Sequence, residues 1–284
     1  MAARLLASGY TVHGEERSRE HAQALIEKGL LWRDTPREVA QSADVVITSL
    51  PNDNVLEEVA SGPDGVLAGL TAGKTWVDTS TVSLAASRNV AERVQAAGAR
   101  MLDAPVSGSV PQVESGTLTI MVGGDEEAYR RVEPILRELG TPTHIGDNGQ
   151  GLALKLAINI SLAVQMLAFA EGLLLAERSG VDRQRALDVM EASPIGLPML
   201  RARASLILDP PEGEAWFDLG FMHKDIELAL DAARRLEIPL PTAERADEVL
   251  ERAQALGYER RDLAVLFQVL EQIAVRDRGG RDAG

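Results

Sequence analysis

The stretch G-Q-G-L-A-L-K-L-A-I-N-I, residues 149–160, decides how this chain is organised. Two glycines lead into a long apolar run that contains one lysine and one asparagine. Lys155 and Asn159 are four residues apart, so a helix would place both side chains on one face. Burying an unpaired lysine is costly, so Lys155 either extends its ammonium group to solvent or serves in proton transfer. Both interpretations are open on this pattern alone.

Composition limits the classes of protein to which the chain can belong. It has 284 residues, of which 45% are hydrophobic and 25% charged, which is typical of a globular protein with two domains. The net charge of −14 argues against nucleic acid and anionic membranes as partners. The absence of cysteine excludes disulfide bonds and cysteine-zinc sites. The four histidines show no ligand spacing, so we predict no metal.

The sequence also carries no recognisable targeting signal. The first ten residues lack the long apolar core and cleavage site of a signal peptide, so a cytoplasmic location is expected. The longest uncharged apolar run, residues 156–170, is shorter than the ~18–20 residues that a membrane span requires. We therefore predict that this run is a buried helix and that the protein has no membrane partner.

Residues 1–148 alternate between strand and helix patterns. Apolar segments typical of strands occupy residues 10–14, 43–50, 75–78, 100–104, 118–122 and 143–145. Helical patterns occupy residues 2–8, 19–28, 55–60, 84–97 and 126–139. This alternation predicts an α/β domain with a mainly parallel sheet over residues 1–148.

The remainder of the chain reads as helices alone. The predicted helices are residues 151–178, 182–192, 196–206, 218–236, 242–256 and 262–274. Prolines and glycines separate these segments. Residues 149–284 are therefore predicted to form an all-α domain.

The start of the chain departs from the usual pattern of a dinucleotide-binding domain. Such a domain opens with a strand and G-x-G-x-x-G, which holds the pyrophosphate, and no such motif precedes the first predicted helix. Yet Glu16 ends the first predicted strand, where the ribose-binding acid of such a domain lies. The sequence looks like a Rossmann domain that lacks its first strand and glycine loop. We accordingly expect the chain as written to bind NAD(P) poorly. The alternative hypothesis is a cofactor-impaired, non-catalytic binding or scaffold protein of the same fold.

Several ordered motifs carry a family resemblance. They are L-P at 50–51, D-T-S-T at 78–81, D-A-P-V-S-G-S at 103–109, G-T-L-T-I-M-V-G-G at 116–124, the segment 149–159, and H-K-D at 223–225. Together they resemble the β-hydroxyacid dehydrogenases, the family of 3-hydroxyisobutyrate dehydrogenase, from Met1 to about Ala274. The resemblance implies an NAD(P)-dependent oxidoreductase of a small β-hydroxyacid. It leaves 3-hydroxyisobutyrate, tartronate semialdehyde and succinic semialdehyde open as substrates.

The resemblance also implies residue roles. Lys155 would be the catalytic acid/base. Ser107, Gly108 and Asn159 would bind substrate. Leu50, Pro51, Thr81 and Lys224 would lie on the nicotinamide side of the cofactor. The family further points to a homodimer or homotetramer built through the helical half, since residues 156–175 are more apolar than one small domain covers.

The chemistry of Lys155 and of the predicted cofactor-binding residues can also be considered without the resemblance. A lysine at its ordinary pKa of about 10.4 is a poor base at neutral pH. An apolar helix around Lys155 and a second cation, Lys224, would both favour the neutral amine. Glu16 favours the free ribose of NAD, whereas Arg17 beside it favours the phosphate of NADP; the prediction leans to NAD.

Simpler interpretations of these residues stay open. Ser107 could only cap a turn, Glu16 could be a solvated strand end, and Lys224 and Asp225 could form a surface ion pair of little energetic value.

Two positions depart from the family pattern. Ile158 stands where the family usually has the first of two asparagines, and Ser109 replaces the second glycine of its S-G-G. Both departures bear on the identity of the substrate rather than on the class of reaction. The related imine reductases usually replace the catalytic lysine, so Lys155 argues against that activity.

Overall fold

The computed structural model describes residues 1–210 and 215–281, with side chains up to residue 274. It divides into two compact units, Met1–Leu156 and Ala157–Gly284. The division falls inside one long helix, Gln150–Arg178. The domain boundary that the sequence places after residue 148 stays a prediction.

The first unit alternates strands and helices. Its strands are β1 His13–Gly14, β2 Leu31–Trp32, β3 Val45–Thr48, β4 Thr75–Asp78, β5 Arg100–Asp103, β6 Val106–Ser107, β7 Leu118–Gly124 and β8 Gly140–Gly146. Its helices are α1 Ala2–Ala7, α2 Arg19–Glu27, α3 Pro36–Ser42, α4 Asp53–Ala60, α5 Val66–Gly69, α6 Leu84–Ala96, α7 Val110–Ser115 and α8 Glu126–Leu139, and α9 Gln150–Arg178 begins here.

The strands form two sheets. β1 and β2 pair in parallel as a separate two-stranded sheet. The second sheet has the order β3-β4-β5-β7-β6, with β8 beside β7. β3, β4 and β5 run parallel to one another, β7 is antiparallel to β5 and β6, and β8 is parallel to β7. Parallel pairs therefore predominate, as the sequence predicted.

Alternating side chains bury both faces of the larger sheet. Trp76 and Val77, adjacent on β4, are both fully buried and belong to different apolar clusters. The Trp76 cluster includes Leu56 of α4, whereas the Val77 cluster includes Leu136 of α8. Because helices cover both faces, the sheet has the doubly wound, Rossmann-like arrangement that the sequence predicts. In such sheets the carboxyl ends of the parallel strands form the ligand-binding edge.

The second unit is helical throughout its described residues. After α9 come α10 Arg183–Ala192, α11 Pro198–Leu208, α12 Leu219–Arg235, α13 Pro241–Ala255, a short 3-10 helix Leu263–Val265 and α14 Leu266–Arg281. One apolar cluster joins these elements, and its largest fully buried side chains include Phe267, Met166 and Leu173. A buried ion pair between Arg203 of α11 and Asp262 accompanies this core.

Helix α9 differs from the buried helix that the sequence predicts. It has 29 residues, and by length and composition alone it could cross a membrane. The expectation that its apolar run is too short for a span is therefore wrong, because the helix continues past the uncharged segment at both ends. Only 33% of its most apolar 18-residue window is buried. One face of this apolar helix is thus left uncovered by the chain itself.

Candidate active site

Three of the predicted cofactor-binding segments directly follow parallel strands. Glu16 and Arg17 follow β1, Leu50 and Pro51 follow β3, and Thr81 follows β4. β3 and β4 are neighbours, and the Leu50 backbone N–H donates to Ser80 Oγ at 2.8 Å. The structure therefore brings the segments of Leu50 and Thr81 together at the edge where a doubly wound sheet binds its cofactor.

A buried chain of hydrogen bonds fixes these two segments. Trp76 Nε1–H donates to Thr48 Oγ1 at 2.8 Å, so the Thr48 hydroxyl must donate onward to Asp78 Oδ1, also at 2.8 Å. Ser80 Oγ accepts from Leu50, and its hydroxyl donates to the same Asp78 oxygen at 2.5 Å. Asp78 is thus the common acceptor, and burial raises the pKa of its carboxyl while these hydrogen bonds oppose the rise. Sequence inspection identified D-T-S-T as a motif but did not identify this role of Asp78.

The residues that the sequence predicts beside the ribose, Glu16 and Arg17, are exposed. Glu16 Oε2 accepts the Ser18 backbone N–H at 2.9 Å and lies 3.4 Å from His21 Nδ1. Arg17 is likewise exposed. Glu16 therefore shapes the turn after β1, which is compatible both with ribose binding and with a solvated strand end.

The predicted carboxylate-binding pair lies at a tight turn. Ser107 is the last residue of β6, opposite Thr119 of β7. Gly108 has a φ of +130°, a conformation that only glycine adopts readily. The N-cap of α7 is Ser109, whose backbone N–H donates to Gln112 Oε1 at 2.8 Å. Ser109 is therefore the residue that caps α7, and both interpretations of Ser107, as a substrate ligand and as a turn cap, stay predictions.

Lys155 is half-buried in the first two turns of α9. The start of the helix is held by Asp103, the last residue of β5. Asp103 Oδ1 accepts the Gly149 N–H at 2.7 Å, and Oδ2 accepts the Leu152 N–H at 2.9 Å. Burial raises the pKa of the Asp103 carboxyl, and the two backbone hydrogen bonds oppose that rise. Lys155 thus stands on a helix whose first turn is anchored to the sheet.

In the second unit, Asn159 belongs to a buried polar cluster. Its Nδ2 donates to Asp225 Oδ2 at 2.5 Å, and Asp225 Oδ1 lies 2.9 Å from Lys224 Nζ. Asp225 is only 2% exposed, so the interpretation of Lys224 and Asp225 as a surface pair is wrong. Among residues 1–210 and 215–281, Asn159 Oδ1 has no hydrogen-bond partner although it is buried. This carbonyl oxygen therefore keeps its capacity to accept a hydrogen bond.

Two protein-family models together match most of the chain. Residues 1–148 match the NAD binding domain of 6-phosphogluconate dehydrogenase. Residues 149–270 match a domain described as the NAD-binding domain of NADP-dependent 3-hydroxyisobutyrate dehydrogenase.

Individual proteins of known name are similar to this chain over nearly their whole length. The chain is 32% identical to 2-(hydroxymethyl)glutarate dehydrogenase from Eubacterium barkeri, covering 96% of this chain and 91% of that protein. It is also 32% identical to 2-hydroxy-3-oxopropionate reductase from Escherichia coli K12, covering 96% and 94% respectively. Among solved structures, 3-hydroxyisobutyrate dehydrogenase from Mycobacterium tuberculosis with L-serine superposes with a TM-score of 0.83. That protein shares 30% identity, and the match covers 95% of this chain and 94% of the other.

Proposed function

The chain belongs to the 3-hydroxyisobutyrate dehydrogenase family of NAD(P)-dependent β-hydroxyacid oxidoreductases, and we propose that Lys155 is the acid/base of its reaction. The observation that carries this proposal is the place of Lys155, half-buried on a helix start that a buried carboxylate ties to the sheet. A proton-transfer residue requires such a fixed position, because its efficiency depends on hydrogen-bond reach to the reacting group.

The proposed proton transfer is balanced by hydride loss from the same alcohol. When bound, NAD(P)⁺ would supply the acceptor for the hydride that leaves the carbinol carbon. The neutral amine of Lys155 takes the hydroxyl proton and becomes ammonium as the substrate becomes a carbonyl compound. Partial burial disfavours the charged ammonium and so favours the neutral amine before the reaction. In the reverse direction the ammonium returns the proton to the alkoxide oxygen.

Ser107, Gly108 and Asn159 would orient the substrate. We assign the Ser107 hydroxyl and the Gly108 N–H to the substrate carboxylate, since both are donors and a carboxylate only accepts. Asn159 is held by Asp225, which leaves its carbonyl oxygen to accept from a hydroxyl of the substrate. Ser109 and Ile158, the two departures from the family pattern, adjoin these residues and would shape substrate preference.

The residues present fit a nicotinamide dinucleotide. Leu50, Pro51 and Thr81 follow adjacent parallel strands, and the buried Asp78 network fixes the backbone of that edge. We further propose that Lys224 lies on the nicotinamide side, as the resemblance implies. Asp225 beside it would hold its ammonium group in place.

The names of the relatives define the substrates to test. We expect NAD(P)-dependent turnover with at least one of 3-hydroxyisobutyrate, 2-(hydroxymethyl)glutarate and the reduced form of 2-hydroxy-3-oxopropionate. Formation of reduced nicotinamide, followed by absorbance, measures this. A folded protein that neither binds NAD(P) nor oxidises any of them would favour the cofactor-impaired, non-catalytic binding or scaffold protein instead.

Cofactor choice depends on Glu16 and Arg17, and we propose a preference for NAD. Glu16→Gln should raise the KM for NAD by about tenfold or more, because a charged hydrogen bond to the ribose would be lost. Arg17→Ala should leave the KM for NAD unchanged and raise only that for NADP. Steady-state kinetics and thermal shifts with saturating NAD and NADP check this. A lower KM for NADP than for NAD in the unmodified protein would reverse the assignment.

We also propose that the protein is a homo-oligomer assembled through the helical unit. The exposed face of α9 carries mostly small residues at helical spacing, namely Ala157, Ser161, Gln165 and Ala168. Small side chains allow a second helix to approach closely, and only 33% of the apolar window of α9 is buried within the chain. Exposed Leu175 extends this apolar surface, with 71% of its area accessible.

Sedimentation tests the proposed assembly. The unmodified protein should sediment as a dimer or larger species at micromolar concentration, and Ala168→Arg should shift it towards monomer. Ala255→Arg places the same charge at an exposed alanine of α13 and serves as the matched control. A monomeric unmodified protein would contradict the proposal.

A further inference from the structure

Asp103 is a buried carboxylate for which the reaction chemistry above has no direct use. It is fully buried at the end of β5, yet it accepts hydrogen bonds from two residues that lie 46 and 49 positions later in the chain. Each carboxylate oxygen accepts one of them, from Gly149 and from Leu152. Gly149 directly precedes α9 and Leu152 lies in its first turn, where backbone N–H groups have no acceptor within the helix. Asp103 therefore caps this helix from the sheet.

Two glycines provide the space for this carboxylate. A Cβ atom on Gly123 would lie 2.6 Å from Asp103 Oδ1, and one on Gly151 would lie 2.9 Å from Oδ2. Both distances are shorter than any real contact of a Cβ atom with an oxygen. The glycine on β7 and the glycine on α9 thus leave room for the Asp103 carboxylate between the strand and the helix.

The neighbouring turn adds further anchors and charges. Asn148 Nδ2 donates to the Met101 carbonyl at 2.8 Å, and Arg88 Nε donates to the Asn148 carbonyl at 3.1 Å. Arg88 therefore brings a positive charge to the turn that contains Asp147 and that Asp103 holds. The anion of Asp103 is also favourable beside the positive end of α9.

We propose that Asp103 is a positioning residue that sets the place of Lys155 relative to the Ser107–Gly108 turn. Lys155 follows Leu152 by three residues, less than one helical turn, so the position of the first turn determines its own. Ser107 follows Asp103 by four residues along the chain. One side chain thus joins the strand that leads to the carboxylate-binding turn with the helix that carries the base. The proposal rests on the proposed role of Lys155.

Asp103→Asn tests the proposal with little change of shape. An amide presents one acceptor and one donor, so one of the two backbone N–H groups would face an NH₂ group instead of an oxygen. Asp125→Asn is the matched control, because Asp125 caps α8 by accepting the Ala128 N–H at 2.8 Å, and α8 carries no proposed site residue. Both variants lose a capping charge in the same unit.

Hydrogen–deuterium exchange gives a measure that does not depend on activity. Asp103→Asn should speed exchange in residues 147–156 relative to the unmodified protein, and Asp125→Asn should not. Turnover should be divided by the number of NAD(P)H-binding sites in the sample, so that a smaller fraction of folded protein does not lower the measured kcat. On that scale Asp103→Asn should lower kcat by about ten- to a hundredfold, since small misplacements of catalytic groups have effects of this size.

The outcomes separate this proposal from that of Lys155. Unchanged exchange in residues 147–156, or turnover per site within twofold of Asp125→Asn, would overturn the role of Asp103. If Lys155→Ala is inactive while Asp103→Asn behaves like the control, the proposed function stands and only the positioning role fails. If Lys155→Ala keeps its activity, the proposed role of Lys155 fails, and the positioning role of Asp103 fails with it.

Discussion

Replacing Lys155 with alanine is expected to reduce kcat at saturating NAD(P) by about 10²- to 10⁴-fold, while the affinity for NAD(P) stays that of the unmodified protein. The variant removes the amine that takes the substrate proton, whereas Leu50, Thr81 and the network around Asp78 stay intact. Steady-state kinetics with the best substrate give kcat, and thermal shifts with NAD and NADP report binding. The two measurements together separate a lost proton acceptor from a damaged cofactor site.

A second lysine supplies the control for charge. Lys28 is exposed at the end of α2, so Lys28→Ala removes one positive charge at a distance from the proposed site residues. It should keep kcat within about twofold, as most surface substitutions do. Retention of most of the kcat by Lys155→Ala would remove this residue from the mechanism.

Replacing Arg203 with methionine is expected to lower the free energy of unfolding by about 3–5 kcal/mol. Arg203 Nε lies 3.2 Å from Asp262 Oδ1, and the two side chains are only 7% and 2% exposed. The other Asp262 oxygen accepts the backbone N–H groups of Trp216 and Phe217. Methionine fills most of the volume of arginine but leaves the Asp262 charge buried without a counter-ion. Urea unfolding followed by circular dichroism measures the loss.

Arg130→Met is the matched control for that experiment. Arg130 pairs with Glu126 on the exposed face of α8, and surface pairs of this type contribute little to stability. The denaturant midpoint should therefore barely move in Arg130→Met and fall clearly in Arg203→Met. A change below about 1 kcal/mol in Arg203→Met would mean that Asp262 is satisfied by its backbone donors alone.

The sequence predicts the regular elements that bury a continuous apolar face. The strand Thr75–Asp78 and the helix Glu126–Leu139 occur with the predicted bounds, and the helical half is correctly identified. Short elements were missed, because few apolar residues reveal them. For α3 a signal was nevertheless present in T-P-R-E, where Thr35 caps the helix and Pro36 opens it.

The sequence alone predicts the functional motifs, but it does not predict the buried residues that hold them in place. Lys155, Asn159 and the Ser107–Gly108 pair lie in recognisable strings of residues. Asp103 lies within such a string, but its partners are 46 and 49 residues away, so only the fold reveals its role. Asp225 was open to interpretation as a surface residue for the same reason. Burial and long-range hydrogen bonds depend on tertiary structure rather than on local pattern.

The most direct test of the central claim is the rate of hydride transfer in a single turnover of Lys155→Arg. Arginine keeps the positive charge, but its guanidinium group does not give up a proton in proteins. If Lys155 transfers a proton, the variant should bind NAD(P)H normally and react at least about 10²-fold more slowly than the unmodified protein. A rate within a few-fold of the unmodified protein would show that position 155 supplies only charge, and would contradict the assignment of Lys155 as the acid/base.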